Sequence, residues 1–242
     1  MTIIAFNNPR FDVVKTVLLT LVAMLAFAAN SLLCRLALGQ QLIDAASFTA
    51  VRVICGAAIL GLMVLPRWRA KRRANVDWRS VAMLFVYMAF FSFAYLSLSA
   101  GSGALILFGA VQVTMFVVAL RAGEHFPLWS WTGLTLAVLG LVYLVSPGVT
   151  APNPGGALLM TIAGVAWGGY SLLGKGAADP LEATANNFIY SVPAVVIVSL
   201  LFMTDFHSSP SGLALAAASG AIASGLGYVI WYAALRRLTV TR

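Results

Sequence analysis

The residue with the clearest chemistry is an arginine inside an oily segment. Arg52 lies in Ala45–Pro66, a run that holds no other charge. It sits about seven residues in, roughly 10 Å at 1.5 Å per residue. A cation at that depth in a bilayer costs a few kcal/mol and usually faces a cavity or a partner. Two readings stand side by side. Arg52 contacts a substrate carboxylate or gates the outer mouth, or its long stem carries the charge back to the interface. Arg35 is nearer a segment end, where the second reading is favoured. Other groups in apolar runs could line the same pocket: Asn30, Gln112, Trp167, Tyr170, Tyr228 and Trp231, with Asn187 and Tyr190 beside them. A small-molecule pocket is mostly apolar with a few hydrogen-bonding groups. The same tryptophans and tyrosines could instead pack helices or form an interfacial belt. Trp129 and Trp131, next to a loop, fit the belt.

The missing groups are equally informative. Asp44, Glu124, Glu182 and Asp205 fall at segment ends or loops. A cation-binding carboxylate or a buried proton relay therefore has no candidate at mid-membrane depth. The substrate expected is neutral, zwitterionic or anionic. No catalytic residue is expected. His125 and His207 lie in loops on opposite sides, too far from any buried serine to activate it. Cys34 and Cys55 have neither CxxC spacing nor a neighbouring histidine, so they read as packing residues and no metal is expected. Gly169–Gly176 spells GxxxxGK but ends in glycine, lacks the Ser/Thr that would hold Mg²⁺, and follows no strand. No cofactor is expected.

The elements that carry these residues follow from composition. Hydrophobic residues make up 61% of the 242 and charged residues only 9%. Soluble domains carry roughly 25% charge, so that class is excluded. Disorder is excluded by the same hydrophobicity. The fold class expected is an all-α polytopic membrane protein. A span needs about 20 apolar residues. Thr16–Cys34 is the first helix and Ala45–Pro66 the second. Ser80–Leu120 has double length and is split by the small residues Ser99–Gly103. Phe126–Gly174 is split by the Pro- and Gly-rich stretch Ser146–Gly156. Ala183–Thr204, with a kink at Pro193, and Ser208–Leu235 bring the total to eight transmembrane helices.

The net charge of +8 comes from 15 Lys+Arg against 7 Asp+Glu. Arg67, Arg69, Lys71, Arg72, Arg73 and Arg79 crowd one connection. Arg10, Lys15, Arg121, Lys175, Arg236, Arg237 and Arg242 fall on the same side if the segments alternate. That places both termini in the cytoplasm. Nucleic acid is not an expected partner, because no soluble face exists to display a basic patch. The expected partners are the lipid bilayer and a small-molecule substrate. The first segment also resembles a signal peptide with an Ala26-Phe-Ala28 cleavage site, but its apolar run continues to Leu33.

Sliding the chain by 140 residues sets Ala26–Arg35 on Ala166–Lys175. Alanine, serine and two leucines match, and Phe27/Trp167 and Arg35/Lys175 are conservative pairs. Phe48 also meets Phe188. The first helix then corresponds to the sixth. An odd number of segments separates them, so the two copies have opposite orientation, as in many secondary transporters. Asn30 and Tyr170 are equivalent positions in this alignment.

Asn30-Ser-Leu-Leu-Cys-Arg35, Arg52 of Phe-Thr-Ala-Val-Arg, Arg121-Ala-Gly-Glu124, Trp167-Gly-Gly-Tyr170 and Ala223–Leu235 together resemble the drug/metabolite transporter superfamily, in its EamA-like branch. The resemblance implies ten helices in two inverted five-helix halves around a central cavity. It implies export or exchange of a small, amino-acid-like metabolite by alternating access at the bacterial inner membrane, and no enzymatic activity. The first repeat would span 13–148 (helices 1–5). The second would span 154–242 (helices 6–8), an inverted copy lacking its last two helices. Gln112 stands where the family often has proline. A shortened second half also leaves room for a non-transporting or partner-dependent membrane component, completed by association such as a homo-oligomer.

Overall fold

In a computed structural model, which describes residues 9–70, 75–145 and 151–235, the chain is a bundle of apolar helices. They are α1 (Pro9–Gly39), α2 (Ala45–Ala70), α3 (Trp78–Ala94), α4 (Ala100–Arg121), α5 (Leu128–Val145), α6 (Pro154–Gly174), α7 (Pro180–Leu201), α8 (Pro210–Ala218) and α9 (Gly227–Leu235). A π-helical segment, Ser219–Leu226, joins α8 to α9. These three pieces form one continuous rod, so eight rods result. Six of them are long and apolar enough to cross a membrane, and α3 and the apolar part of α5 are shorter. Cations at Lys71–Arg73 and Arg236–Arg242, and residues 146–150 of the 146–156 breaker, lie outside the described residues.

Several limits differ from those read off the sequence. α2 continues past Pro66 to Ala70, since a proline near a helix end leaves few hydrogen bonds to lose. The turn between α3 and α4 is Tyr95–Ser99, not Ser99–Gly103. Ser99 caps α4 by accepting from the Ser102 N–H at 3.1 Å. Gly101 and Gly103 therefore sit in the first turn of α4. At Gly103 the Tyr95 ring occupies the place of a side chain, so a Cβ would meet Cε1 at 2.5 Å. Aspartates start two helices at the other pole. Asp77 caps α3 and Asp179 caps α7.

Two poles organise the bundle. At one, Arg67 at the end of α2 pairs with Asp179 at 2.7 Å, and the Trp68 indole donates to Glu182 at 3.0 Å. The ion pair is exposed and worth little, about 0–1 kcal/mol. At the other pole the 40–44 turn meets the 206–209 segment. The Asp44 N–H donates to the His207 carbonyl at 3.0 Å, and the Ser209 N–H to the Leu42 carbonyl at 2.8 Å. Here α1 ends, with Arg35 donating to the carbonyl of Tyr95 at 2.9 Å. Here α6 begins, with Gly156 against Ser97 and Leu98. Thus α1 and α6 run in opposite directions.

Close helix contact uses small residues, as expected of GxxxG patterns in membranes. On α6, a Cβ at Gly164 would stand 2.6 Å from Ala110 Cβ and 2.7 Å from the Leu107 carbonyl oxygen, and one at Gly168 would stand 3.0 Å from Thr114. Gly220 of the π-helical segment lies directly on the Arg52 carbonyl of α2. The outer surface is oil: Leu25, Leu62, Leu136 and Leu201 are each at least 66% exposed. Water would not tolerate such continuous patches, whereas lipid requires them. Gly164→Val should wedge α6 from α4 and cost about 1–3 kcal/mol. Gly133→Val, where a side chain meets open space, should change little. Melting of both variants in detergent, followed by circular dichroism, checks this; equal melting temperatures would refute the close α4–α6 contact.

Candidate functional site

The bundle closes around Arg52. Although it sits on α2 at a helix face that could have met lipid, it points inward and is fully buried. Its Nε donates to Ser224 Oγ at 3.2 Å, and its Nη2 donates to the Tyr87 hydroxyl at 3.1 Å. The guanidinium lies 4.8 Å from the Phe91 ring centre and 5.4 Å from that of Tyr87. The third nitrogen, Nη1, is buried without a hydrogen-bond partner. Among the described residues no carboxylate pairs with Arg52, and the ion pair seen there is Arg67–Asp179 at the pole.

The geometry depends on the π-helical turn. A π turn adds one residue per loop of helix and re-aims the side chains that follow. Here it faces Ser219 and Ser224 into the bundle. Ser219 donates to Asn30 Oδ1 at 2.7 Å, and Ser224 accepts from Arg52. Gly220 lets this backbone rest on α2, and Gly56 opposite it leaves room for the Phe188 ring, whose Cε1 would be 2.5 Å from a Cβ there.

An aromatic cluster continues from the guanidinium. Tyr87 stacks on Trp167 at 5.8 Å between ring centres. Phe27 meets Trp167, Trp231 and Tyr228 edge-on at 5.0, 5.8 and 6.0 Å. Tyr228 in turn meets Tyr170 at 5.7 Å. The indole N–H groups of Trp167 and Trp231 are buried and unpartnered. A buried donor without an acceptor costs about 1–3 kcal/mol, so such groups call for an explanation.

Six of the seven residues singled out in the sequence thus belong to one neighbourhood: Arg52, Asn30, Trp167, Tyr170, Tyr228 and Trp231. Gln112 does not. It is exposed and faces a 390 Å³ cavity between α4 and α5, together with Phe116, Phe126 and Ser130. The inward face of α4 at this level is instead Ala110 and Val111, packed on the glycines of α6. Tyr190 also lies apart, 37% exposed and edge-on to Trp78. Arg35 bonds carbonyls at the pole. Sequence reasoning missed Tyr87, Phe91, Ser219 and Ser224. The first two sit in a charge-free run without distinguishing neighbours. Phe27 had a signal, since the repeat aligns it with Trp167.

A 380 Å³ cavity lies at the α3–α6–α7 pole. Asp77, Ser80, Asp179, Glu182 and Asn187 line it. Its carboxylates are engaged in capping and pairing. The Ser80 hydroxyl, donating at 2.6 Å, and the Arg79 backbone N–H hold the Asp77 carboxyl below the usual carboxylate range. At the inner end, Asn187 Nδ2 donates to the Tyr170 hydroxyl at 3.4 Å. Asn187 thus touches both the cavity and Tyr170, whose ring meets Tyr228, and the cluster is closed: Arg52 and Tyr170 show no exposure, and Trp167 4%.

Oil-faced helices around a closed, polar-centred core define a multi-pass membrane protein. The EamA-like transporter family profile matches residues 154–242. The uncharacterized protein PA1977 of Pseudomonas aeruginosa is 50% identical over 225 residues, covering 93% of this chain and 78% of that protein. A solved crystal structure shares the fold at a TM-score of 0.63 and 21% identity, over 90% of this chain and 81% of the other. The chain belongs to the EamA-like transporter family of the drug/metabolite transporter superfamily. Its function is therefore of the membrane-transporter kind, and the family is not one of enzymes.

A buried cation without a counter-ion is held at the expense of stability. Replacing a whole buried ion pair with apolar side chains of similar volume is often neutral or stabilising by about 1–4 kcal/mol, and a lone buried charge has no ion-pair attraction to lose. Arg52→Met should therefore leave the melting temperature unchanged or raise it. Tyr87→Phe should lower it, because a second guanidinium nitrogen loses its acceptor, at about 1–3 kcal/mol. Thermal unfolding in detergent decides; a strongly destabilised Arg52→Met would mean that the guanidinium is satisfied by the protein itself.

Proposed function

We propose that the chain exports or exchanges a small metabolite by alternating access, with the Arg52 cluster as its binding site. The observation that carries this reading is the fully buried guanidinium with one nitrogen unpartnered and no carboxylate beside it. A structural cation would be neutralised by its own protein; a cation kept for a ligand is left open. The substrate is neutral, zwitterionic or anionic and of amino-acid size. The apolar rings of Phe27, Phe91 and Trp167 would surround its body, and Arg52 would hold its carboxylate.

The opposite directions of α1 and α6, and the clustering of Phe27 against Trp167 from repeat-equivalent positions, support two inverted units, 13–148 and 154–242. The 380 Å³ cavity, sealed by Asn187 and Tyr170, would be the vestibule on one side. The Lys/Arg bias supports a reading in which that pole and both termini lie on the cytoplasmic side of a bacterial inner membrane. Access requires the helices around Tyr170 to part, which the π-helical segment would accommodate.

Counterflow of radiolabelled amino-acid-like metabolites into proteoliposomes containing the full chain tests this. The native chain should accumulate label above empty liposomes. Arg52→Met, inserted to the same level, should lose at least about ten-fold of that flux, the share of one charge-assisted hydrogen bond. Undiminished flux in Arg52→Met would overturn the site, and flux that appears only with a co-expressed partner protein would favour the partner-dependent component instead.

A further inference from the structure

Resting on the Arg52 site as the carrier's binding centre, we infer that its substrate is an organic monoanion whose polar head only accepts hydrogen bonds, such as a 2-oxo acid with an apolar side chain, and not an amino acid.

The chemistry of the unpartnered groups decides the class. Arg52 Nη1, Trp167 Nε1 and Trp231 Nε1 are buried and unbonded. Guanidinium and indole nitrogens donate and never accept. Three nearby acceptors each already receive one donor. Asn30 Oδ1 receives Ser219, Ser224 Oγ receives Arg52, and the Tyr87 hydroxyl receives Arg52. The three donor residues belong to one network: Tyr87 bonds Arg52 and stacks on Trp167, and Phe27 bridges Trp167 to Trp231. A ligand fitting this centre brings acceptors. A carboxylate with an adjacent carbonyl supplies three oxygens. An ammonium brings three donors and no acceptor, and among the described residues the buried acid is Asp44, at the far end of the α1–α2 turn, where Ser47 and His207 already bond it.

Charge sets the second limit. One guanidinium is buried here, so one negative charge is balanced. A second would be desolvated without compensation. The other cation nearby, Arg35, is partly exposed and occupied by the carbonyls of Tyr95 and Leu96. Dicarboxylates and phosphate dianions are therefore disfavoured. The walls are rings and set the third limit: Phe27, Phe91, Trp167 and Tyr228 favour an apolar body over a polar one.

Isothermal titration of the purified full chain in detergent micelles tests the inference with three probes. These are 4-methyl-2-oxopentanoate, leucine (the same carbon skeleton with an ammonium in place of the carbonyl), and succinate. The oxo acid should bind at least about ten-fold more tightly than either of the others. Arg52→Met should abolish that binding. Trp167→Phe, which keeps an aromatic face but removes the N–H, should weaken it about ten-fold. Leucine binding as tightly as the oxo acid, and still dependent on Arg52, overturns the inference while leaving the carboxylate anchor in place. Oxo-acid binding that survives Arg52→Met, or no binding of any probe, overturns both. If Arg52→Met does not fold, Trp167→Phe decides, and an unchanged affinity with that variant also overturns the inference.

Discussion

The constraint on which the bundle turns is the cost of burying one guanidinium in a medium without water. A charge taken out of water loses several kcal/mol even after the protein relaxes. The protein recovers part of this without using an acid. Two hydroxyls, Ser224 and Tyr87, accept hydrogen bonds, and two ring faces, Phe91 and Tyr87, stand within 5.4 Å. Hydrogen bonds to a charged group contribute about 1.5–3 kcal/mol each. A desolvated cation–π contact adds up to about 2 kcal/mol. These partners come from α3 and from the π-helical segment. The positions of both relative to α2 are thus tied to one side chain.

Small residues make that arrangement possible. α2 must approach the last rod closely enough for a serine hydroxyl, a short arm, to reach Arg52. Gly56 and Gly220 provide the approach, and any side chain at Gly220 would collide with the α2 backbone. The same device, with Gly164 and Gly168, brings α6 against α4 and so delivers Trp167 to Tyr87 and Phe108. In lipid, helices gain nothing from hiding oil, so contact must come from shape and hydrogen bonds. Here glycines supply the shape and a short polar chain, Asn30–Ser219 and Ser224–Arg52, supplies the bonds.

What the sequence makes legible follows from which signals are local. Charge-free runs of spanning length are local, so the helices and their number can be read from composition alone, whereas the two readings of Arg52, inward or snorkelling, are separated only by its burial in the bundle. The 99–103 turn could not be placed correctly, because small residues serve both turns and tight helix starts; only the Tyr95 ring packed on Gly103 distinguishes them. The burial of Tyr87 and Phe91 is not legible either. In an oily helix every face is apolar, and hydrophobic periodicity no longer separates inside from outside. Gln112 shows the converse. A polar residue at mid-helix suggests a pocket, yet the α4 face that meets α6 is chosen by Ala110 and Gly164, and the amide is left facing α5. The π turn has no sequence signature at all, and without it Ser219 and Ser224 would not share a face with Asn30 and Arg52.

Aromatic rings rather than a carboxylate beside Arg52 have a consequence for a carrier's cycle. An acid at hydrogen-bond distance would neutralise the guanidinium permanently, and a substrate anion would have to displace it at a cost close to its own gain. Leaving the cation bare would make the unloaded, closed state too costly to cross. On the proposed function, Phe91 and Tyr87 would sit between these limits: the rings would hold the charge well enough for the centre to close without ligand, and weakly enough that an anion would gain by arriving. The tightness of ligand binding is then set by differential interaction with the closed state, the only quantity through which a ligand can shift a conformational equilibrium. In the same proposed cycle the Asn187–Tyr170 contact, a 3.4 Å bond between two neutral groups, would be weak enough to break at each turnover. As the proposed barrier between the 380 Å³ cavity and the guanidinium, such a bond and a ring edge would open without first separating a pair of charges.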